Sequence, residues 1–249
     1  MRYENVFITG ASSGIGAGLA EKLVARGARV YAAARRMDRL EELSAATADS
    51  PGELIPVQLD VNDTGAVIEA IRGADEETDG LDLVIANAGV GRIRNGRKLT
   101  WEDVSPVLQT NVLGASATLT AALPAMIERG RGQLVAISSL AGLRGLPRNA
   151  AYSASKAALS TFLESLRVDL NGTGIYVTCV HPGFIKTPMT EDNKSYMPLL
   201  MEEDAAVSKI MKGIDRRKTV VEFPWLLAKL VRFLRFLPDR AYDFVARLT

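Results

Sequence analysis

Tyr152 and Lys156 are the two side chains whose types and spacing most directly suggest chemistry. They stand four residues apart in A-A-Y-S-A-S-K-A-A, residues 150–158, where the small neighbours suit a helix. At i and i+4 on a helix, side chains share one face. The Lys156 ammonium can then sit near the Tyr152 phenol. A free phenol loses its proton only near pH ~10. A cation about 4 Å away, at an effective dielectric of about 20, favours the phenolate by roughly 4 kcal/mol before desolvation is subtracted. That could lower the pKa by up to about three units. A phenol tuned this way can pass a proton to or from a carbonyl or alcohol near neutral pH. A chance tyrosine and lysine on one helix would show the same spacing, so the reading depends on the rest of the chain.

The elements that would position such a pair begin at the N-terminus. Residues 5–9 form a short apolar run, T-G-A-S-S-G-I-G follows at 9–16, and 15–26 carry helical periodicity. Strand, glycine turn and helix are the context of a dinucleotide-binding loop. Gly10, Gly14 and Gly16 let backbone approach a pyrophosphate, and the helix N-terminus offers free N–H groups. Ser12, Ser13 and Ile15 of the same loop join this expected cofactor site. The spacing is not G-x-G-x-x-G, and a glycine turn can also serve tight strand–helix packing alone.

A second strand at 29–34 ends in Ala33 and Ala34, then Arg35 and Arg36. An acid near this point would hold a ribose 2′-hydroxyl. Its absence removes repulsion of a 2′-phosphate, and arginine can hold that phosphate. The pattern predicts NADP(H) in preference to NAD(H). Two solvated arginines opening a loop are the alternative, above all for Arg36.

Helix is expected over 37–48, strand over 53–59 and helix over 63–71. Asp60 and Val61 follow the third strand. Asp60 either accepts from an adenine amino group or caps the next helix. A fourth strand at 81–86 leads into Asn87, Ala88 and Gly89, small enough to flank adenosine or to make an ordinary turn. One long helix is expected over 100–127, with Asn111 in its middle, where Asn is a poor helix residue. Strand 132–137 precedes Ser138 and Ser139, and the tyrosine helix spans 150–170. Strand 175–180 precedes His181, Pro182 and Gly183; a loop or lid (185–200), a helix (201–214) and a last strand (219–222) follow. The alternation predicts one α/β domain over 1–222 with a parallel, doubly wound sheet, and a helical extension over 223–249.

The chain has 249 residues, 47% of them hydrophobic, enough for one large core. Its net charge of +1 gives no field that calls for nucleic acid. Cys179 is the single cysteine, which fits a reducing, cytoplasmic compartment. With His181 the single histidine, no metal site is expected. The N-terminus reads straight into a strand rather than as a signal peptide, and no apolar run reaches the roughly 20 residues of a membrane span.

Taken together, T-G-A-S-S-G-I-G (9–16), N-A-G (87–89), Asn111, Ser139, Y-S-A-S-K (152–156) and P-G-F-I-K-T (182–187) resemble the short-chain dehydrogenase/reductase family, up to about residue 220. The resemblance implies a Rossmann-type sheet of seven strands in the order 3-2-1-4-5-6-7. It implies Tyr152 as general acid/base, Ser139 on the reacting oxygen, and Lys156 lowering the tyrosine pKa and holding the nicotinamide ribose. Asn111 would anchor a water linking Lys156 to solvent. Pro182, Gly183, Ile185 and Thr187 would hold the nicotinamide, and Asn87 and Gly89 the adenosine side. Some NADP-using members carry a basic residue where this chain has Ser13, so the NADP reading rests on Arg35 and the missing acid. His181 and Cys179 have no part in this chemistry.

The loops expected to choose the substrate contain Leu143, Leu146, Met189, Tyr196, Met197 and Leu199, which suggest a lipophilic ketone, aldehyde or alcohol. Arg144 and Arg148 either meet an anionic group or lie in solvent. An NADP(H)-dependent oxidoreductase is the leading reading. A catalytically idle NADP(H) sensor or scaffold is the alternative, which the intact Asn111, Ser139, Tyr152 and Lys156 set disfavours. Apolar faces on the Asn111 and tyrosine helices suggest a homodimer or homotetramer. The segment 223–237 gathers Leu226, Leu230, Phe233, Leu234 and Leu237 on one helical face, with Lys229, Arg232 and Arg235 opposite. It covers the core or a subunit contact, edges the substrate entrance, or lies weakly on an anionic membrane.

Overall fold

Strand β1 (Asn5–Thr9) sends Val6 and Ile8 to one side of a sheet and Phe7 to the other, and all three are fully buried. Successive strand residues face opposite ways, so a sheet covered on both sides needs apolar residues at every position. The same demand shapes β2 (Arg29–Ala34), β3 (Glu53–Gln58), β4 (Leu83–Ala86), β5 (Gly132–Ile137), β6 (Ile175–Pro182) and β7 (Val220–Phe223). The computed structural model describes residues 3–191 and 197–246. All seven strands are parallel, in the order β3-β2-β1-β4-β5-β6-β7.

One core lies beneath α1 (Gly14–Val24), α2 (Met37–Ala46) and α8 (Glu203–Asp215), through Leu19, Leu23, Leu40 and Ile210. The other lies beneath α3 (Thr64–Glu77), α5 (Ala115–Arg129) and α6 (Ala150–Asp169), through Ile71, Leu119, Met126 and Leu163. The strand order reverses between β1 and β4. In such sheets ligands settle in the crevice outside the carboxyl ends, at that reversal.

Several elements depart from expectation. Helix α3 runs on to Glu77 because Asp75 is buried there, bonded to Arg129 at 2.6 and 2.7 Å and accepting from Leu81 N. Its N-cap is Asp63, accepting from Ala66 N, so Asp60 does not cap it. The single long helix is three pieces: α4 (Trp101–Leu108), a π-helical turn at Gln109–Gly114, and α5. Asn111 sits in that π turn, a distortion that recurs at functional sites. By length and composition, Trp101–Arg129 is the one such run among the described residues able to cross a membrane, although α5 carries core side chains.

A short helix, α7 (Pro188–Glu191), opens the expected loop, and Ile185 bridges to Met201. Tyr196 lies outside the described residues. The C-terminal segment forms α9 (Trp225–Arg235) and α10 (Asp239–Ala246). The face of α9 that docks is not the expected one. Leu227, Ala228 and Val231 are buried against Leu140, Leu143 and Phe184, whereas Leu226, Leu230 and Phe233 are exposed. Close packing explains the choice: a Cβ on Gly183 would lie 2.9 Å from Pro224 Cδ and 3.0 Å from Leu227 Cδ2. The bidentate Arg232–Glu222 pair, 2.8 Å in both bonds, fixes the helix's rotation.

Candidate active site

A cleft of about 320 Å³ runs along the carboxyl ends of the strands. Gly10, Ser12, Ser13, Gly14 and Ile15 line it after β1, with Arg35 and Arg36 after β2 and Asp60 and Val61 after β3. Asn87, Ala88 and Gly89 line it after β4, Ser139 after β5, and Tyr152 and Lys156 from α6. Pro182, Gly183, Ile185 and Thr187 complete the expected set. Gly16 does not line the cleft. It lies behind the loop, where a Cβ would come within 2.3 Å of Gly10 O.

The loop after β1 depends on glycine at two positions. Gly10 and Gly14 take φ of +70° and +57°, conformations that favour glycine. A Cβ at Gly10 would strike Ala88 Cα at 2.6 Å. Asn87 Nδ2 braces the turn by donating to Thr9 O and Gly10 O at 3.1 and 3.0 Å. The Ser13 side chain does not cap α1. The helix's first N–H groups are therefore left for an anion.

Arg36 is exposed, but its side chain is engaged. Its guanidinium donates to Ser12 Oγ at 3.0 Å and to Ser13 Oγ at 2.9 Å, across the phosphate loop. Arg35 stands 4.0 Å from Asp60. Both arginines are exposed and line the cleft. The sequence offered both arginines, with solvent as the alternative above all for Arg36; the contact with the two serines was not legible, because it depends on where the chain turns.

At the other end, Ser139 begins a 3₁₀ turn (Leu140–Gly142), and its Oγ accepts from Ala141 N at 3.1 Å. Ser138 turns away into the core, donating to Lys156 O at 2.9 Å. Lys156 is buried; its Nζ donates to Ile137 O at 2.7 Å and stands 5.7 Å from the Tyr152 ring centroid. Burial pushes the ammonium down to about 8. Burial also pushes the Tyr152 phenol up and outweighs the opposing effect of the Ser139 hydroxyl, which favours the ionised form. The expected lowering by Lys156 is therefore not met: its Nζ turns to the Ile137 carbonyl, and desolvation costs the phenolate more. Tyr152 thus stands as a neutral phenol.

Asn111 is fully buried beside the cleft rather than in its lining. Its Oδ1 accepts from Val90 N at 2.8 Å, while Nδ2 donates to Val90 O and Ser155 Oγ at 2.9 and 3.0 Å. No direct bond joins it to Lys156 among the described residues. Its amide ties the loop after β4 to α6, and Ser155, one residue before the lysine, is the partner that sequence reasoning missed. Asn62 was missed too; its Oδ1 accepts from Thr110 Oγ1, linking the turn after β3 to the π turn. Neither residue belongs to a periodic pattern.

Of the expected substrate-side residues, Met189 lines the cleft, and Leu146 is fixed by its N–H bond to Ser153 Oγ at 3.2 Å. Arg144 is taken by Asp239 at 2.9 Å and by the Tyr242 ring. Arg148, at φ +61°, lines a separate hollow of about 620 Å³ with Asn95 and Tyr242.

Behind the site, His181 and Glu222 face each other in register across β6 and β7. His181 Nε2 lies 3.0 Å from Ser160 Oγ and 3.4 Å from Cys179 Sγ. Its Nδ1 is 3.4 Å from Glu222 Oε1, within ion-pair reach but without a formed hydrogen bond. Burial alone would push His181 down, but Cys179 and Glu222 outweigh it and raise the ring to about 9. Burial alone would raise Glu222, but His181 and Arg232 hold it at about 2. The raised histidine stabilises the fold fully below pH 6.5 and loses that contribution as pH rises through about 9. The depressed carboxylate stabilises fully above pH 4.5 and loses that contribution as pH falls through about 2. The stability gap between wild type and His181→Gln is therefore expected to be widest at pH 4.5–6.5 and to shrink towards pH 9. Thermal melts across that range check it; a gap that widens with pH would refute the charged pair.

Residues 4–197 match the family model described as short chain dehydrogenase. A Myxococcus xanthus protein described as an uncharacterized oxidoreductase is 53% identical over 247 residues, spanning 99% of this chain and 98% of its own. The fold is similar to that of a short-chain dehydrogenase from Sphingobium yanoikuyae in complex with NADPH (28% identity, TM-score 0.82, 95% of this chain and 97% of that one). It also matches the fold of a short chain dehydrogenase/reductase from Burkholderia phymatum in complex with NAD (24% identity, TM-score 0.83, 92% of each chain). With the sheet order and the cleft already described, these matches settle the family: this chain belongs to the short-chain dehydrogenase/reductase family of oxidoreductases.

Proposed function

We propose that this protein is an NADP(H)-dependent reductase of a lipophilic carbonyl compound, or the dehydrogenase of its alcohol, with Tyr152 as the proton-transferring group. The observation that carries this reading is the convergence of Ser139, Tyr152 and Lys156 on one cleft that continues to the phosphate loop. When bound, the nicotinamide supplies a hydride to the carbonyl carbon or takes one from the alcohol carbon. Tyr152 gives its phenolic proton to the carbonyl oxygen as charge develops there. Ser139, held by Ala141 N, directs its hydroxyl to the same oxygen. Lys156, at about 8, sits close enough to neutrality to return a proton to the phenolate. Asn111 positions the loop after β4 against α6 and so fixes the cradle around Lys156. An idle sensor would need none of these proton-handling groups.

Arg35 and Arg36 support the preference for NADP(H), since both line the cleft and neither is buried. Steady-state assays of a carbonyl and alcohol panel with NADPH and NADH test activity and preference together. Arg35→Ala and Arg36→Ala are each expected to weaken NADPH by about tenfold to a hundredfold, the worth of a lost charge-assisted contact. NADH should be weakened less. Equal loss for both cofactors would remove the arginines from 2′-phosphate recognition, and no turnover with either cofactor would favour the sensor.

Met189, which lines the cleft, supports a lipophilic substrate, and the buried free thiol of Cys179 suits a reducing, cytoplasmic setting. Exposed Trp101, Leu113 and Ile127 on the α4–α5 run and Val168 on α6 support a homodimer or homotetramer. Light scattering checks that assembly; the mass of one chain at working concentration would count against it.

A further inference from the structure

Docking of α9 uses the side bearing Leu227, Ala228 and Val231. At about 100° per residue, the opposite side carries Trp225, Leu226, Lys229, Leu230, Phe233 and Phe236. Trp225 is 66% exposed, Phe233 63% and Phe236 84%, and Leu226 and Leu230 are both more than half exposed. Scattered exposed apolar residues need no explanation, but five large ones on three turns of one helix form a patch. Phe244, 68% exposed on α10, adds a further aromatic to the same end of the chain.

Charge selects the occupant. Lys229 lies within the apolar side, its Nζ 4.8 Å from the Trp225 ring. Arg235 and Arg240 are exposed on the last turn of α9 and the first turn of α10, while Arg232 is held by Glu222. A second copy docked through this side about a two-fold axis would bring Lys229 towards its own counterpart in a desolvated contact. Like charges there are costly. Anionic headgroups over an apolar layer match both features, because aromatic rings sit at the boundary and lysine extends its ammonium outward. The helix spans Trp225–Arg235, far short of a bilayer, so it can only lie in the surface.

We propose that the outward side of α9, with Trp225, Leu230, Phe233 and Phe236 inward to lipid and Lys229 at the headgroups, is a reversible docking surface for anionic membranes. The proposal is independent of the reaction, since none of these side chains lines the cleft. Of the three roles that periodicity left open for this face, it selects the membrane surface.

The test uses the full chain with Trp101→Phe, which leaves Trp225 as the single tryptophan. Vesicles of phosphatidylglycerol and phosphatidylcholine at about 0.01 M salt should pellet most of the protein and shift Trp225 emission to shorter wavelength. Raising salt to about 1 M, where the screening length falls to ~3 Å, should reverse both. Phe233→Ser with Phe236→Ser should lose vesicle binding at least tenfold while keeping the wild-type melting temperature and cofactor affinity. Absence of binding at low salt would overturn the proposal. So would equal, salt-insensitive binding to pure phosphatidylcholine vesicles, or a light-scattering mass that falls in the double variant, which would assign the face to a second copy.

Discussion

Replacing Tyr152 by Phe is expected to lower kcat by about 10²–10⁴-fold, the usual worth of a positioned acid or base. The ring stays in place, since its packing against the loop at Gly91 does not involve the hydroxyl. The lysine stays too, because Nζ is held by Ile137 O rather than by the phenol. NADPH affinity should therefore remain close to wild type in a fluorescence titration. Lys156→Ala should instead damage both binding and turnover. The direction of the Tyr152 shift adds a further expectation. A phenol raised by burial is protonated throughout the neutral range, so carbonyl reduction should not weaken as pH falls from about 8 to 6 on its account. Wild-type turnover in Tyr152→Phe on the best substrate would remove the phenol from the chemistry.

Much of this was legible in the chain for a physical reason. Strands buried on both faces write nearly continuous apolar runs, and the residues that follow them fall at the sheet's carboxyl edge. Gly10, Asp60 and Asn87 could thus be set at that edge from their positions, whereas Ser139 and Pro182 joined the site only through the family resemblance. What was not legible depends on distances that sequence does not carry. The π turn at Asn111 keeps helical periodicity on both sides, so a window of apolar spacing passes over it. The presence of Lys156 suggested a lowered phenol, but the burial of Tyr152 and the pull of Ile137 O reverse the sign. In α9 periodicity located the apolar side, not the docked one. The small Ala228 and the approach to Gly183 decide docking, and neither weighs much in an apolar pattern.

Gly16 offers the sharpest test of the phosphate loop, because it acts without touching the cleft. Gly16→Ala places a Cβ 2.3 Å from Gly10 O and 2.5 Å from Asn87 Nδ2. Both neighbours belong to the brace that holds the turn, Asn87 Nδ2 donating to Gly10 O at 3.0 Å. Alanine inside a helix gains roughly 0.5–1 kcal/mol over glycine. Forcing a methyl into packed backbone costs about 1–3 kcal/mol. The cost wins, and the fold should be modestly less stable. The larger effect is on function, since relief requires Gly10 and Asn87 to move apart. A displacement near 1 Å at such a site lowers catalysis on the order of a hundredfold. NADPH and NADH should lose affinity together, unlike the arginine variants, because the pyrophosphate is common to both. Gly73→Ala on α3 is the matched control: nothing lies within 4 Å of its Cβ, so it should gain stability and leave both cofactors unaffected. If Gly16→Ala bound NADPH and NADH as tightly as wild type, the turn after β1 would not be the phosphate cradle, and the cofactor would have to be placed elsewhere along the sheet edge.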